Sequence, residues 1–169
     1  MAMHIVIDGY NLTALMASPN NTALDLESTR NELIKRLQAY KRLKGHKITV
    51  VFDGKKSGSL YRARTNQGGI EIVFSKDGEE ADEILKEMAK TERQNMTLIT
   101  SDRSVAHFAE TCGAVTISSQ EFDNILSSAQ YYTMKGISDE EDEGVFPKTG
   151  NPRKPSKKER KRLQRIKKL

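Results

Sequence analysis

At 169 residues, with 36% hydrophobic and 30% charged content, the chain suits one folded domain plus a tail. No apolar run approaches membrane-spanning length and no basic-plus-apolar leader opens the sequence, which sets aside membrane and exported classes and leads us to expect a cytoplasmic protein. The net charge of +5 hides an asymmetry: residues 148–169 carry eleven Lys or Arg and one acid, a net of +10, which leaves −5 on residues 1–147. Such a basic segment attracts polyanions, nucleic acid first; the plainer alternative is a solvated tail. A single cysteine, Cys112, rules out an internal disulfide, fits a reducing compartment and most simply fills a small core position.

In chain order, His4-Ile5-Val6-Ile7, with Met3 before it, reads as a short strand buried on both faces, and it stops at Asp8-Gly9-Tyr10-Asn11. A carboxylate at the end of a buried strand is costly unless something pairs with it. Open α/β sheets bind ligands at that rim, outside the carboxyl ends of their strands. A polar loop is expected over 13–22, with Pro19-Asn20-Asn21 as its turn signal. A helix capped by Thr22 or Asp25 then runs to about Lys44, with Leu26, Leu33, Leu37 and Tyr40 on one stripe and Gly45 as its stop. The next strand, Lys47 to Phe52, also ends in an acid and a glycine, Asp53-Gly54, which suggests two parallel neighbours finishing at one level.

Residues 55–69 form a long, basic, glycine-rich stretch read as a loop, a length that tends to carry function. Within it Tyr61 can stack a base while Lys55, Lys56, Arg62 and Arg64 hold phosphates; the alternative is an ordinary crossover. A third strand, Ile70 to Phe74, leads through Ser75-Lys76-Asp77-Gly78-Glu79-Glu80 into a helix with Ala81, Ile84, Leu85, Met88 and Ala89 on one face. Asp82 lies in its first turn at the edge of that face. A fourth strand, 97–100, ends in Ser101-Asp102-Arg103 before a short helix with Val105, Ala106, Phe108 and Ala109. A fifth, 114–117, precedes a capping box, Ser118 to Glu121, and a helix burying Phe122, Ile125, Leu126 and Ala129.

Strands alternating with amphipathic helices predict a parallel sheet covered on both faces. The pattern fails near Ile137. We therefore expect a folded domain over 1–137, a linker over 138–155 that is first acidic (139–143) and then rich in Pro and Gly, and a basic tail over 156–169. Leu163, Ile166 and Leu169 line one side of that tail, which is expected to become helical on a partner.

Asp8, Asp53, Asp82 and Asp102 are thus expected at one end of one sheet. Carboxylates so close take up protons unless a cation joins them, and their hard oxygen ligands suit Mg²⁺ or Mn²⁺. Each acid alone has another explanation. Asp102 reads equally as a helix N-cap, Asp82 as a first-turn acid and Asp53-Gly54 as a turn. Asn11 bonds Asp8 or shapes the loop, and Thr100 and Ser101 stay open between substrate contact and capping. His4, His46 and His107 are scattered and read as surface or capping residues, and no Cys or His spacing suggests zinc.

These motifs carry a resemblance. Ile-Val-Ile-Asp-Gly-Tyr-Asn-Leu at 5–12, Val-Val-Phe-Asp-Gly at 50–54, Glu-Glu-Ala-Asp-Glu-Ile-Leu at 79–85 and Thr-Ser-Asp at 100–102 resemble the NYN domain, a PIN-like nuclease fold, and within it the bacterial YacP-like branch. The resemblance implies a three-layer α/β/α fold with a five-stranded, mostly parallel sheet in the order 3-2-1-4-5. It further implies a Mg²⁺-dependent endoribonuclease with RNA, mRNA foremost, as substrate. The family's acidic positions fall on Asp8, Asp53, Asp82 and Asp102, with Asn11 as the motif amide. Asp8, Asp82 and Asp102 would be catalytic and all four metal-binding, with Asn11, Ser101, Arg103 and the loop cations toward substrate. The likeness covers roughly residues 3–132 and leaves 139–169 outside it, so a ribosomal partner is implied by the branch alone.

Two other classes compete. An RNA- or ribosome-binding module with the same fold would keep the pocket with little catalysis. A doubly wound phosphatase or phosphoacceptor would use Asp8 or Asp53 as nucleophile. Against it, Tyr10 stands where a haloacid-dehalogenase-like enzyme needs a second Asp, and no lysine ends the fifth strand. Gly9 has no partners for a dinucleotide-binding fingerprint.

Overall fold

The structure is a computed structural model that describes residues 3–16, 23–54, 58–135 and 155–169. Strand β1 (His4–Asp8) lies inside a sheet between β2 (Lys47–Phe52) and β5 (Met96–Ile99), parallel to both. Outside β2 lies β4 (Ile70–Phe74), also parallel, and outside β5 lies β6 (Val115–Ile117). A further strand, β3 (Ala63–Gln67), pairs antiparallel with β4 at the edge.

The sheet is therefore mixed, with six strands in the order β3-β4-β2-β1-β5-β6. This corrects the expectation of five strands in the order 3-2-1-4-5. The difference is β3, which lies in the stretch read as a loop. All five of its residues are exposed, so no apolar alternation marks it. What makes it a strand is the turn behind it. Gly68 and Gly69 have φ of +57° and +86°, the pair of positive values that a two-residue hairpin turn of matching twist needs.

Every residue of β1 is buried, and its side chains alternate between two cores. Ile5 and Ile7 join Ile48, Val50 and Phe52 beneath α1 (Gly9–Met16), α2 (Ala23–Lys44) and α5 (Ser119–Lys135), which supply Leu12, Leu37, Tyr40 and Phe122. Val6 joins Val51 and Val73 beneath α3 (Ala81–Glu92) and α4 (Arg103–Thr111), through Ile84, Leu85 and Val105. The polar loop expected over 13–22 gives way to α1 as far as Met16, because Leu12 and Thr13 are drawn into the core. The Pro19-Asn20-Asn21 turn lies outside the described residues. Leu33, Leu37 and Tyr40 are buried on α2, but Leu26 is exposed. A 22-residue helix of about 33 Å is longer than strands of five or six residues, about 20 Å long, so the sheet cannot cover all of it.

Two of the three histidines depart from a surface role. His4 is buried, with Nδ1 on a Glu92 carboxylate oxygen and Nε2 on Thr49 Oγ1 at 2.8 Å. His46 is also buried. Its Nδ1 accepts the Met3 N–H at 3.3 Å and its Nε2 donates to the Lys168 carbonyl at 2.9 Å. His107 is exposed.

The basic segment is already helical. Ser156 and Glu159 form a capping box that opens α6 (Lys157–Lys168). Ile166 and Leu169 pack into the core, Tyr40 donates to the Leu169 carbonyl at 2.8 Å, and Arg165 donates to Thr97 Oγ1 at 2.8 Å. Arg162 pairs with Glu121, and Lys158 with Glu110 at 2.5 Å. Where the sequence suggests a helix that orders on an outside partner, the structure seats Ile166 and Leu169 on the body of the protein and leaves Leu163 exposed. The acidic run at 139–143 lies outside the described residues.

Candidate active site

The acids meet at the carboxyl ends of β1, β2 and β5. Asp8 pairs across from Val51, and Ile7 from Ile99, so Asp53 and Asp102 each follow just beyond the level of Asp8. Asp8 is 5% exposed. Its carboxylate is bonded by the backbone N–H of Asn11 and by Thr100 Oγ1, the latter at 3.4 Å. Burial, reinforced by the negative charges of Asp82 and Asp102, pushes the Asp8 carboxyl up from 3.8 to about 6. Asp82, in the first turn of α3, is likewise pushed up, by burial first and then by Asp102, Glu80 and Asp53, with Lys86 opposing.

Asp102 caps α4: its Oδ1 accepts the N–H groups of Ser104 at 2.8 Å and Val105 at 3.2 Å. Asp53 Oδ1 faces Ser75 Oγ at 3.3 Å, and the Asp53 carbonyl accepts the Tyr10 hydroxyl at 3.2 Å. The four acids share one electrostatic field without closing on a point. Among the described residues, no group of three or more His, Cys, Asp or Glu side chains is close enough to hold an ion. The donor set is oxygen only, with one carboxylate buried beside like charges. That chemistry fits a hard divalent cation and does not fit zinc.

Asn11 and Thr100 join the strands under the acids. Asn11 Oδ1 accepts the Ser101 N–H at 2.7 Å and faces Thr100 Oγ1 at 3.2 Å, while Thr100 Oγ1 accepts the Asp102 N–H at 3.1 Å. Thus β1, α1, β5 and α4 are tied together directly beneath Asp8. Ser101 enters this network through its backbone, and Arg103 is exposed at the start of α4.

The loop cations are placed differently from one another. Lys55 and Lys56 lie outside the described residues. Arg62 is engaged with Glu79 and Glu87, and Arg64 with Glu71 at 2.9 Å. Tyr61 is 78% exposed. Two contributors are not evident in the sequence. Ser75 follows β4 as Asp53 follows β2, and its Oγ accepts the Gly54 N–H at 2.8 Å as well as facing Asp53. Buried Glu79 is the counterion of Arg62. The position of Ser75 directly after a strand is the available signal.

Both Asp-Gly pairs have a steric reason. A Cβ on Gly9 would stand 2.3 Å from the Phe52 ring, and one on Gly54 would stand 2.2 Å from the Ser75 carbonyl oxygen. The glycines let neighbouring chain segments close up directly behind each acid.

The sequence matches the family model of the YacP-like NYN domain over residues 5–168. The chain belongs to the YacP-like NYN family. YacP of Bacillus subtilis strain 168 is 30% identical over 87 residues, 51% of each protein, so the match spans about half the length of that relative. Crystal structures of Rae1 (YacP) from Bacillus subtilis share the fold. One superposes at a TM-score of 0.62 with 26% identity, covering 80% of this chain and 79% of that one. A second, of a Rae1 mutant, gives 0.65 at 23% identity over 80% of each chain. The span of the YacP-like NYN match takes in α6, which corrects the reading that left 139–169 outside the family pattern. Among the described residues, no helix is long and apolar enough to cross a membrane.

Proposed function

We propose that this YacP-like NYN protein is a Mg²⁺- or Mn²⁺-dependent endoribonuclease that hydrolyses RNA phosphodiester bonds, leaving a 5′-phosphate and a 3′-hydroxyl. The observation that carries the reading is the burial of Asp8 in the field of Asp82 and Asp102, which leaves a concentration of negative charge that a divalent cation would neutralise. Asp8 and Asp102 would be the direct ligands of the ion, with Asp82 and Asp53 beside them. Once bound, it supplies positive charge for the scissile phosphate and lowers the pKa of a coordinated water. The protein's own contribution is placement. Thr100 and the Asn11 N–H fix Asp8, Asn11 fixes the Ser101 backbone, and Asp82, partly exposed, orients the attacking water and takes its proton. RNA, with mRNA foremost, is the substrate we assign, and a ribosomal partner and a cytoplasmic setting belong to the same proposal.

A second reading, an RNA- or ribosome-binding module with little catalysis, is favoured by two observations: Asp102 is already employed as a helix cap, and among the described residues the acids do not close on one point. Cleavage of a defined single-stranded RNA separates the two. The nuclease reading expects cleavage that needs Mg²⁺ or Mn²⁺, stops with EDTA and is lost in Asp8→Asn with the circular dichroism spectrum unchanged. Metal-independent cleavage, or none by the wild type, refutes it.

A further inference from the structure

Between β2 and β3 the chain holds two large apolar side chains out in water: Leu60 is 79% exposed and Tyr61 78%. Exposed apolar residues are ordinary one at a time. What is unusual is the apparatus behind this pair. Arg62 donates through Nε to both Glu79 carboxylate oxygens, at 3.0 and 3.1 Å, and through Nη2 to Glu79 Oε1 at 2.5 Å. It also donates through Nη1 and Nη2 to the two oxygens of Glu87, at 3.3 and 2.7 Å. The Glu79 side chain is only 7% exposed and also accepts the Lys76 N–H at 3.3 Å. On the other side of the tip, the Ser59 carbonyl accepts the Asp77 N–H at 2.7 Å, and Ser59 Oγ donates to the Tyr61 carbonyl at 2.8 Å. A planar guanidinium gripped by two carboxylates gives geometric fixation, and here it fixes the residue next to an exposed ring.

The clasp also reaches the acidic rim. Ser75 Oγ donates to the Glu79 carbonyl at 2.9 Å and faces Asp53 Oδ1 at 3.3 Å, so the segment that grips Arg62 also positions a rim acid. In the sequence the tip follows Lys55-Lys56 and precedes Arg62 and Arg64, and both arginines are ion-paired. An exposed aromatic face, on a segment tied to a rim acid through Ser75, has the chemistry to stack a nucleobase.

We propose that Leu60 and Tyr61 form a fixed platform on which an unpaired base of an RNA strand stacks, and that Arg62 acts as a positioning residue that holds the platform instead of contacting phosphate. The inference rests on the reading of the acidic rim as an RNA-cleaving site, and it adds a preference for unpaired RNA. A base inside a duplex offers no free face to the ring.

The test is binding of a single-stranded RNA bearing 2-aminopurine to the full chain in EDTA, where no turnover occurs, with the matching duplex alongside. The wild type is expected to quench the fluorophore on binding. Tyr61→Ala should weaken binding of the single strand about tenfold or more and abolish the quench, whereas Tyr61→Trp should keep both. Glu87 separates the two roles of Arg62, because its 61% exposed side chain can be changed without disturbing the core. If Arg62 is a clasp, Glu87→Gln loosens the tip and weakens binding; if Arg62 holds phosphate, removing a competing carboxylate tightens it. Arg62→Ala should weaken binding with the salt dependence unchanged, whereas loss of a phosphate contact would lower the slope by about one. Wild-type affinity in Tyr61→Ala, tighter binding in Glu87→Gln, an equal loss on duplex RNA, or no binding by the wild type overturns the proposal. Cleavage by the same wild-type preparation in Mg²⁺ keeps the two readings apart. Tyr61-dependent binding without cleavage removes the nuclease reading alone, and cleavage with Tyr61-independent binding removes the platform alone.

Discussion

Asp8→Asn should make the protein more stable while abolishing its activity, and the gain should grow with pH. Burial and two neighbouring carboxylates raise the Asp8 carboxyl from 3.8 to about 6, which corresponds to about 3 kcal/mol of native-state destabilisation once the group is ionised. Between about pH 4 and 6 the folded chain retains a proton that the unfolded chain has released, so the Asp8 contribution to stability falls as pH rises through that window and is lost above it. Asparagine is neutral throughout and keeps an oxygen to accept from Thr100. Allowing for the cost of burying an amide, Asp8→Asn should exceed the wild type by about 1–3 kcal/mol at pH 8, a urea midpoint roughly 1 M higher, and converge on it near pH 4. The assay is equilibrium urea unfolding in EDTA from pH 4 to 8. Adding Mg²⁺ at pH 8 should then recover stability in the wild type and leave Asp8→Asn unchanged. A variant less stable than wild type at pH 8, or a difference that does not vary with pH, would refute the view that Asp8 is held ionised against its environment.

Gly9→Ala places a methyl 2.3 Å from the ring of fully buried Phe52, which is itself stacked on Phe74, and should cost about 1–3 kcal/mol in the same unfolding assay. Tyr40→Phe leaves the Leu169 carbonyl without its buried donor and should cost about 1–2 kcal/mol, read as a lower thermal midpoint that also reports the docking of α6. Asp102→Ser keeps a capping oxygen and should hold stability within about 0.5 kcal/mol of wild type while RNA cleavage is lost; Asp102→Ala should lose cleavage and about 1 kcal/mol more.

The parts legible in the sequence are those in which one residue pattern has one physical cause. β-branched runs ending in Asp-Gly mark the inner strands, and the i, i+3, i+4 spacing from Ala81 to Ala89 marks α3, with Ile84, Leu85 and Ala89 buried as expected. β3 escapes such a reading because its residues face solvent on both sides, although Gly68-Gly69 is a hairpin signal between two runs. The docking of α6 escapes it because eight of its residues are Lys or Arg, so its composition reads as a free polyelectrolyte. Its anchors are a few side chains, Ile166, Leu169 and Arg165, and the helix end meets Tyr40, His46 and Thr97, all far away in sequence. Arg62 shows the same difficulty: a cation in a loop reads as a ligand contact until Glu79, seventeen residues on, turns out to be its buried counterion.

The choice between structural and functional roles for each acid dissolves at the level of topology. In a parallel sheet the carboxyl end of a strand leads into the amino end of a helix, where unpaired N–H groups and the helix dipole favour negative charge. Asp8 precedes α1 and receives the Asn11 N–H, Asp82 sits in the first turn of α3, and Asp102 caps α4. Three helix starts therefore stabilise three carboxylates at one rim, while Ser75 serves Asp53. The capping and first-turn roles that explain Asp102 and Asp82 one at a time are also what brings these acids to one rim. The residual cost falls on Asp82 and on Asp8, the most deeply buried of them, whose capping bond offsets only part of its desolvation. A fold that uses its helix starts to gather acids concentrates negative charge at one rim at a cost to its own stability.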